Sequence, residues 1–100
     1  ELLRRLERMD FLGADIAKIA VMPQSAGDVL TLLSATEKAS RTLSCQVISM
    51  SMKGTGLISR LSGEVFGSCL TFGSAGGASA PGQIDVGELR GILETIHRNL

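Results

Sequence analysis

Apolar residues recur along the chain first at helical spacing and then at strand spacing. Leu2, Leu3, Leu6 and Met9 share one side of a helix over residues 2–12, and Gly13 stands where a C-terminal cap belongs. Residues 15–22 form a run rich in Ile, Ala and Val, too short for an ordinary helix, which predicts a strand ended by Pro23. Ser25 opens the next helix with Asp28 at the capping-box position, and Val29, Leu30 and Leu33, joined by Leu32, supply its apolar side to about Arg41. CQVISMSM, residues 45–52, alternates as a second strand with Gln46, Ile48, Met50 and Met52 on one side. KGTG (53–56) reads as a turn, and Leu57 to about Phe66 as a short helix carrying Ile58, Leu61 and Val65. CLTFG (69–73) reads as a third strand, followed by a small-residue loop, SAGGASAPGQ (74–83). Asp85 then caps a last helix, with Glu88 at the box position and Val86, Leu89, Leu93 and Ile96 as its buried stripe.

The predicted order is α-β-α-β-α-β-α, with no hairpin signal. Such alternation argues for an α/β fold in which a parallel sheet is covered by helices, so that both strand faces are buried. Two architectures fit: a small three-stranded open sheet, or a segment of a (β/α)8 barrel, which as a whole takes about 250 residues.

Composition narrows the class. One hundred residues make one modest domain, and 44% apolar content excludes a disordered chain. Ten bases balance ten acids, which speaks against a nucleic-acid or acidic-membrane partner. No apolar run approaches the ~20 residues of a membrane span, and the charged start is no signal peptide. Cys45 and Cys69 have neither metal-ligand spacing nor a disulfide framework, so both are expected to be buried free thiols of a reducing cytoplasm. The chain opens without Met and inside a helical pattern, from which a fragment or processed piece is expected.

Lys18 is the chemical oddity, one ammonium within DIAKIAVMP. As a strand residue it shares a face with Ile16, Ala20 and Met22, and either face of the strand is expected to be buried. It reads either as an edge-strand gatekeeper with its head in water, or as an amine left neutral by apolar surroundings and free to form an imine with a carbonyl. Arg60, soon after a strand and turn, is either a carboxylate clamp or an exposed helix arginine paired with Glu64. The 74–83 loop is a plain connection, a phosphate cradle, or a lid closing with Ser79 and Gln83 over a substrate. Met50, Met52 and Phe72 read as space-filling or pocket-wall residues, and His97 as a surface or half-buried helix histidine.

Taken in order, DIAKIAVMPQS, DVLTLL, ISMSMKGTGLISRLSGEVFGSCLTFG and ASAPGQI resemble one family, type I 3-dehydroquinate dehydratase, from residue 1 to residue 100. The resemblance implies a (β/α)8 barrel, of which this single domain (1–100) would be one helix and the last three strand–helix units, with the site at the C-terminal ends of the strands. It implies that Lys18 forms the imine with the substrate ketone and that Arg60 grips the substrate carboxylate. Ser79 and Gln83 would contact substrate hydroxyls from a closing loop, and Met50, Met52 and Phe72 would line the pocket. The implied reaction removes water from 3-dehydroquinate to give 3-dehydroshikimate, a step of the shikimate pathway of aromatic amino-acid biosynthesis. It needs no metal and no organic cofactor. The family's general-base histidine lies on an earlier strand with no counterpart here, and His97 does not match it. The isolated chain is therefore expected to turn over poorly, and to self-associate or pair with the missing N-terminal part of the barrel. Two other readings stand beside this one: an imine-forming aldolase-type lyase of the same fold, and a non-catalytic oligomerisation remnant.

Overall fold

The computed structural model describes residues 1–73 and 83–100. Its elements run α1 (Leu2–Phe11), β1 (Ile16–Val21), α2 (Ala26–Thr42), β2 (Gln46–Ser51), α3 (Leu57–Leu61), α4 (Gly63–Phe66) and α5 (Val86–Arg98). The two strands lie parallel, with Lys18 beside Ile48 and Ala20 beside Met50. Parallel neighbours need a long crossover, and the 17 residues of α2 provide it.

Strand parity decides what is buried. Ala17 and Ile19 turn toward the helices and are buried, as are Val47, Ser49 and Ser51 beside them in β2; Ile48, on the opposite face beside Lys18, is buried as well. Leu6 from α1 and Leu32 and Ala39 from α2 complete that cluster, with Leu2, Leu3, Met9, Val21 and Leu43 packed around it. Thr36 occupies a core position of α2 because its hydroxyl is satisfied twice, by the Leu32 carbonyl at 2.7 Å and the Ser49 hydroxyl at 2.6 Å. Gly13 takes φ +89°, the left-handed geometry that ends α1.

Several sequence expectations are corrected here. Lys18, Ile16 and Ala20 are exposed rather than buried, because α1 and α2 cover one face of the sheet and the described residues leave much of the other open. CLTFG is no strand: the third position of the sheet is a single bridge between Val47 and Ser68. The Cys69 amide reaches the Val47 carbonyl at 2.8 Å, but the Ser68 hydroxyl takes the Ser49 amide at 3.0 Å, so a side chain stands where ladder bonds would continue. The helix expected over 57–66 breaks at Ser62 into α3 and α4, and Ile58 and Val65 are exposed. Leu30, one residue round the helix from buried Val29, points outward, as does Val86 at the start of α5; Leu89 carries the burial there. The two cysteines are free, but Cys69 is exposed and Cys45 half-buried, not fully buried.

The caps follow the sequence in part. Asp85 accepts the amides of Gly87 and Glu88, as a helix N-cap should. Ser25 makes no side-chain cap bond, and Asp28 instead accepts the Gln24 amide at 2.8 Å, one residue upstream of the expected box.

Asp10 ties the end of α1 to the start of β2. It accepts the Ser44 hydroxyl at 2.6 Å and the Ser44 and Cys45 amides at 3.3 and 3.1 Å. These bonds, those from Ser44 foremost, hold its carboxyl below the ordinary 3.8, whereas burial, with Asp10 nearby, pushes the Cys45 thiol up. A carboxyl depressed in the folded state stabilises above its unfolded pKa, and the effect fades as pH falls through the folded one. Asp10→Asn keeps the shape and removes the titration. The stability gap between the two proteins, followed by acid unfolding, should therefore narrow below pH 3.8. A gap constant from about pH 6 to about pH 2 would contradict this tie.

Candidate active site

The turn after β2 brings the chain sharply back onto the strand. Lys53 adopts φ +62°, and Gly56 passes so close that a Cβ there would overlap the carbonyl oxygens of Ser51 and Met52. Buried Ser59 then fastens α3 to the strand end. Its hydroxyl accepts the Ser51 amide at 2.8 Å and donates to the Gly56 carbonyl at 2.7 Å.

This attachment carries Arg60 inward. The residue is 8% exposed, so the expectation of a solvent-exposed helix arginine is set aside. Its Nη2 donates to Met52 Sδ at 3.6 Å, and its carbonyl accepts the Thr71 hydroxyl at 2.9 Å. Glu64 is engaged elsewhere: its carboxylate lies 2.6 Å from Nδ1 of His97, an exposed residue of α5, which leaves His97 the surface role its position suggested.

Lys18 projects from the middle of β1 on the face away from α1 and α2. Its Nζ lies 5.4 Å from the centroid of the Phe72 ring, within cation–π range. Phe72 in turn lines a 120 Å³ cavity with Arg60, Gly73, Gln83 and Ile84. Met50, in register with Ala20, stands on Lys18's side of the sheet and is half-buried, as is Met52. Six candidate residues thus gather in one region of the fold, Lys18, Arg60, Gln83, Met50, Met52 and Phe72. Ser79 lies outside the described residues. Thr71 was not singled out from the sequence; a lone hydroxyl inside the apolar CLTFG was the only signal.

The chemistry available follows from the charges. No carboxylate is among the described residues lining the cavity, whereas a buried guanidinium is, with an ammonium across the Phe72 ring. That arrangement suits a small anionic ligand with a second group within reach of an amine. A larger groove of 660 Å³ runs along α5, lined by Thr71, Leu89, Leu93 and His97 among others, and neither Lys18 nor Arg60 lines it. Among the described residues no cluster of three or more His, Cys, Asp or Glu is placed to hold a metal ion, and no helix is long and apolar enough to cross a membrane.

Comparison with known proteins decides the family. Residues 1–100 match the family of type I 3-dehydroquinases throughout. The chain belongs to the type I 3-dehydroquinase family. Among its relatives, the 3-dehydroquinate dehydratase of Listeria monocytogenes serotype 4b is 63% identical over 98 residues, covering 98% of this chain and 39% of the relative. That of Salmonella paratyphi B is 58% identical over 99 residues, with the same two coverages. The fold agrees with solved structures of the family. The type I 3-dehydroquinate dehydratase of Clostridium difficile, with covalently modified comenic acid, superposes at a TM-score of 0.95 and 52% identity, over 99% of this chain and 39% of that one. The enzyme of Geobacillus kaustophilus gives 0.90 at 47% identity, over 97% and 38%. This member of the family therefore spans 39% of the length of the curated relatives it matches.

Proposed function

We propose that this chain supplies the imine-forming lysine and the carboxylate clamp of a type I 3-dehydroquinate dehydratase. The observation that carries the reading is the convergence of Lys18, Phe72, Arg60 and Gln83. The Lys18 amine adds to the ketone of 3-dehydroquinate and water leaves, giving an iminium joined to Nζ. That cation draws electrons from the neighbouring carbon, so a base can take its proton. The resulting enamine expels the substrate hydroxyl, which leaves as water by taking back the proton the base removed, and hydrolysis of the new iminium frees 3-dehydroshikimate and returns the lysine. Arg60 holds the carboxylate by charge-assisted hydrogen bonds, which fixes the ring relative to Nζ. Ser79 and Gln83 bind substrate hydroxyls, and Met50, Met52 and Phe72 wall the pocket.

In this reading residues 1–100 are a helix and the last three strand–helix units of a (β/α)8 barrel, and the general base stands on a strand outside them. The brevity of the sheet's third member fits: a barrel strand is held from both sides, and among the described residues Ser68 bridges to Val47 alone. The open face around Ile16 and Lys18 fits as well. The 100 residues alone are then expected to pair with the remaining barrel or with one another. Sedimentation equilibrium showing only monomer at about 100 μM would count against it.

Borohydride reduction in the presence of 3-dehydroquinate tests the chemistry without requiring the base. The expected product is a stable adduct on the peptide that contains Lys18, read by mass mapping. An unmodified Lys18, or an adduct only on Lys38 or Lys53, would overturn the assignment.

A further inference from the structure

We propose that Thr71 is a positioning residue that sets the Arg60 clamp at its distance from Lys18, an inference that rests on the function just proposed. α3 has five residues, too few to stand as a helix in water without outside support. Its C-terminal carbonyls need partners from elsewhere, and the Arg60 carbonyl finds one in the Thr71 hydroxyl at 2.9 Å. The next residue, Phe72, presents its ring to Lys18 Nζ. Two adjacent residues therefore hold the two cations: Thr71 the main chain of one, Phe72 the ammonium of the other.

Gly73 anchors this pair from the other side. A Cβ on Gly73 would come within 2.9 Å of Val86 Cα and 3.1 Å of Leu89 Cδ2, so the segment lies tight against the start of α5. The Arg60 frame is thereby connected through Thr71, Phe72 and Gly73 to a 13-residue helix that is capped by Asp85. A ring substrate has a fixed separation between its carboxylate and its ketone. A clamp free to drift with a five-residue helix would meet that separation only part of the time.

The test compares Thr71→Val, which keeps the shape and loses the hydroxyl, with Thr71→Ser, which keeps the hydroxyl, in a complete barrel that carries this segment. Thr71→Val is expected to raise KM for 3-dehydroquinate about 3- to 10-fold, the range of one hydrogen bond, with kcat within about twofold. Thr71→Ser should restore KM. In an Arg60→Ala background, Thr71→Val should change KM no further, because nothing remains to be positioned. A lowered Tm with KM unchanged, while the unsubstituted protein turns over and is trapped at Lys18, overturns the role of Thr71 alone. Neither turnover nor a Lys18 adduct in the unsubstituted protein overturns the proposed function and this inference with it.

Discussion

Replacing Lys18 with alanine should lower turnover of 3-dehydroquinate by on the order of 10⁴-fold or more in a complete barrel bearing this segment, the scale on which loss of a nucleophile falls. The sequence holds three lysines, and the proposed reading assigns the chemistry to one of them. Lys38 lies on the exposed side of α2, in the layer beyond the sheet, and Lys53 is an exposed residue of the turn after β2. Lys18 alone stands on the open face, its Nζ against Phe72. Lys18→Arg sharpens the test. Arginine keeps the charge and stacks well on an aromatic ring, but it has no amine that can lose a proton near neutral pH and attack a ketone. If Lys18 served only to place a cation over Phe72, the arginine variant would retain most of the activity. The expected result is that it behaves like alanine, in turnover and in borohydride trapping. Steady-state rates within tenfold of the unsubstituted protein would remove Lys18 from the reaction.

The second large effect is on stability. Gly56→Ala is expected to cost about 3–5 kcal/mol, combining the strain of overpacking with a buried hydrogen bond left unmade. The new methyl group would overlap the carbonyl oxygens of Ser51 and Met52, main-chain atoms held by the sheet, so the turn itself must move. Moving it pulls Ser59 away from the Ser51 amide and carries Arg60 off Met52. A control lies two residues away. A Cβ on Gly54 meets nothing within 4 Å, so Gly54→Ala should stay within about 0.5 kcal/mol of the parent. Urea unfolding of the three proteins side by side measures both. Equal midpoints for the two alanine variants would mean that the close passage at Gly56 has no energetic weight.

How much of this was legible in the sequence can be followed residue by residue. β1, α2 and α5 follow from local periodicity because each buries one face: Ala17 and Ile19, Leu32 and Ala39, Leu89. β2 is legible as a strand but buries Val47, Ile48 and Ser49 in succession, on both faces. CLTFG has the same apolar character, yet pairing depends on its neighbours, and no local pattern shows the Ser68 hydroxyl taking the Ser49 amide. The exposure of Lys18 was misjudged for a related reason, since parity separates two faces without saying what covers each. Motif resemblance picked out Lys18, Arg60 and Gln83 as candidates, and the fold brings them to one region. The burial of Arg60 and its tie to Thr71 were not legible, because both depend on how a five-residue helix seats on the end of β2.

The hydrophobic cluster has a further consequence. Its buried members run from Leu6 to Val47, and the residues packed around it also fall between Leu2 and Val47. Arg60, Thr71, Phe72 and Gln83 all come later, where a sulfur contact to Met52, the Thr71 hydrogen bond and the close approach of Gly73 to α5 stand beside the separate buried apolar residues Ile84 and Leu89. Foundation and fittings thus occupy successive stretches of one chain. The two stretches share no buried member of that cluster, so a change in the later contacts leaves the packing of the earlier ones in place. Side-chain changes that retune the grip on a ligand can accumulate there, away from close passages such as Gly56, and leave the cluster before Ile48 intact.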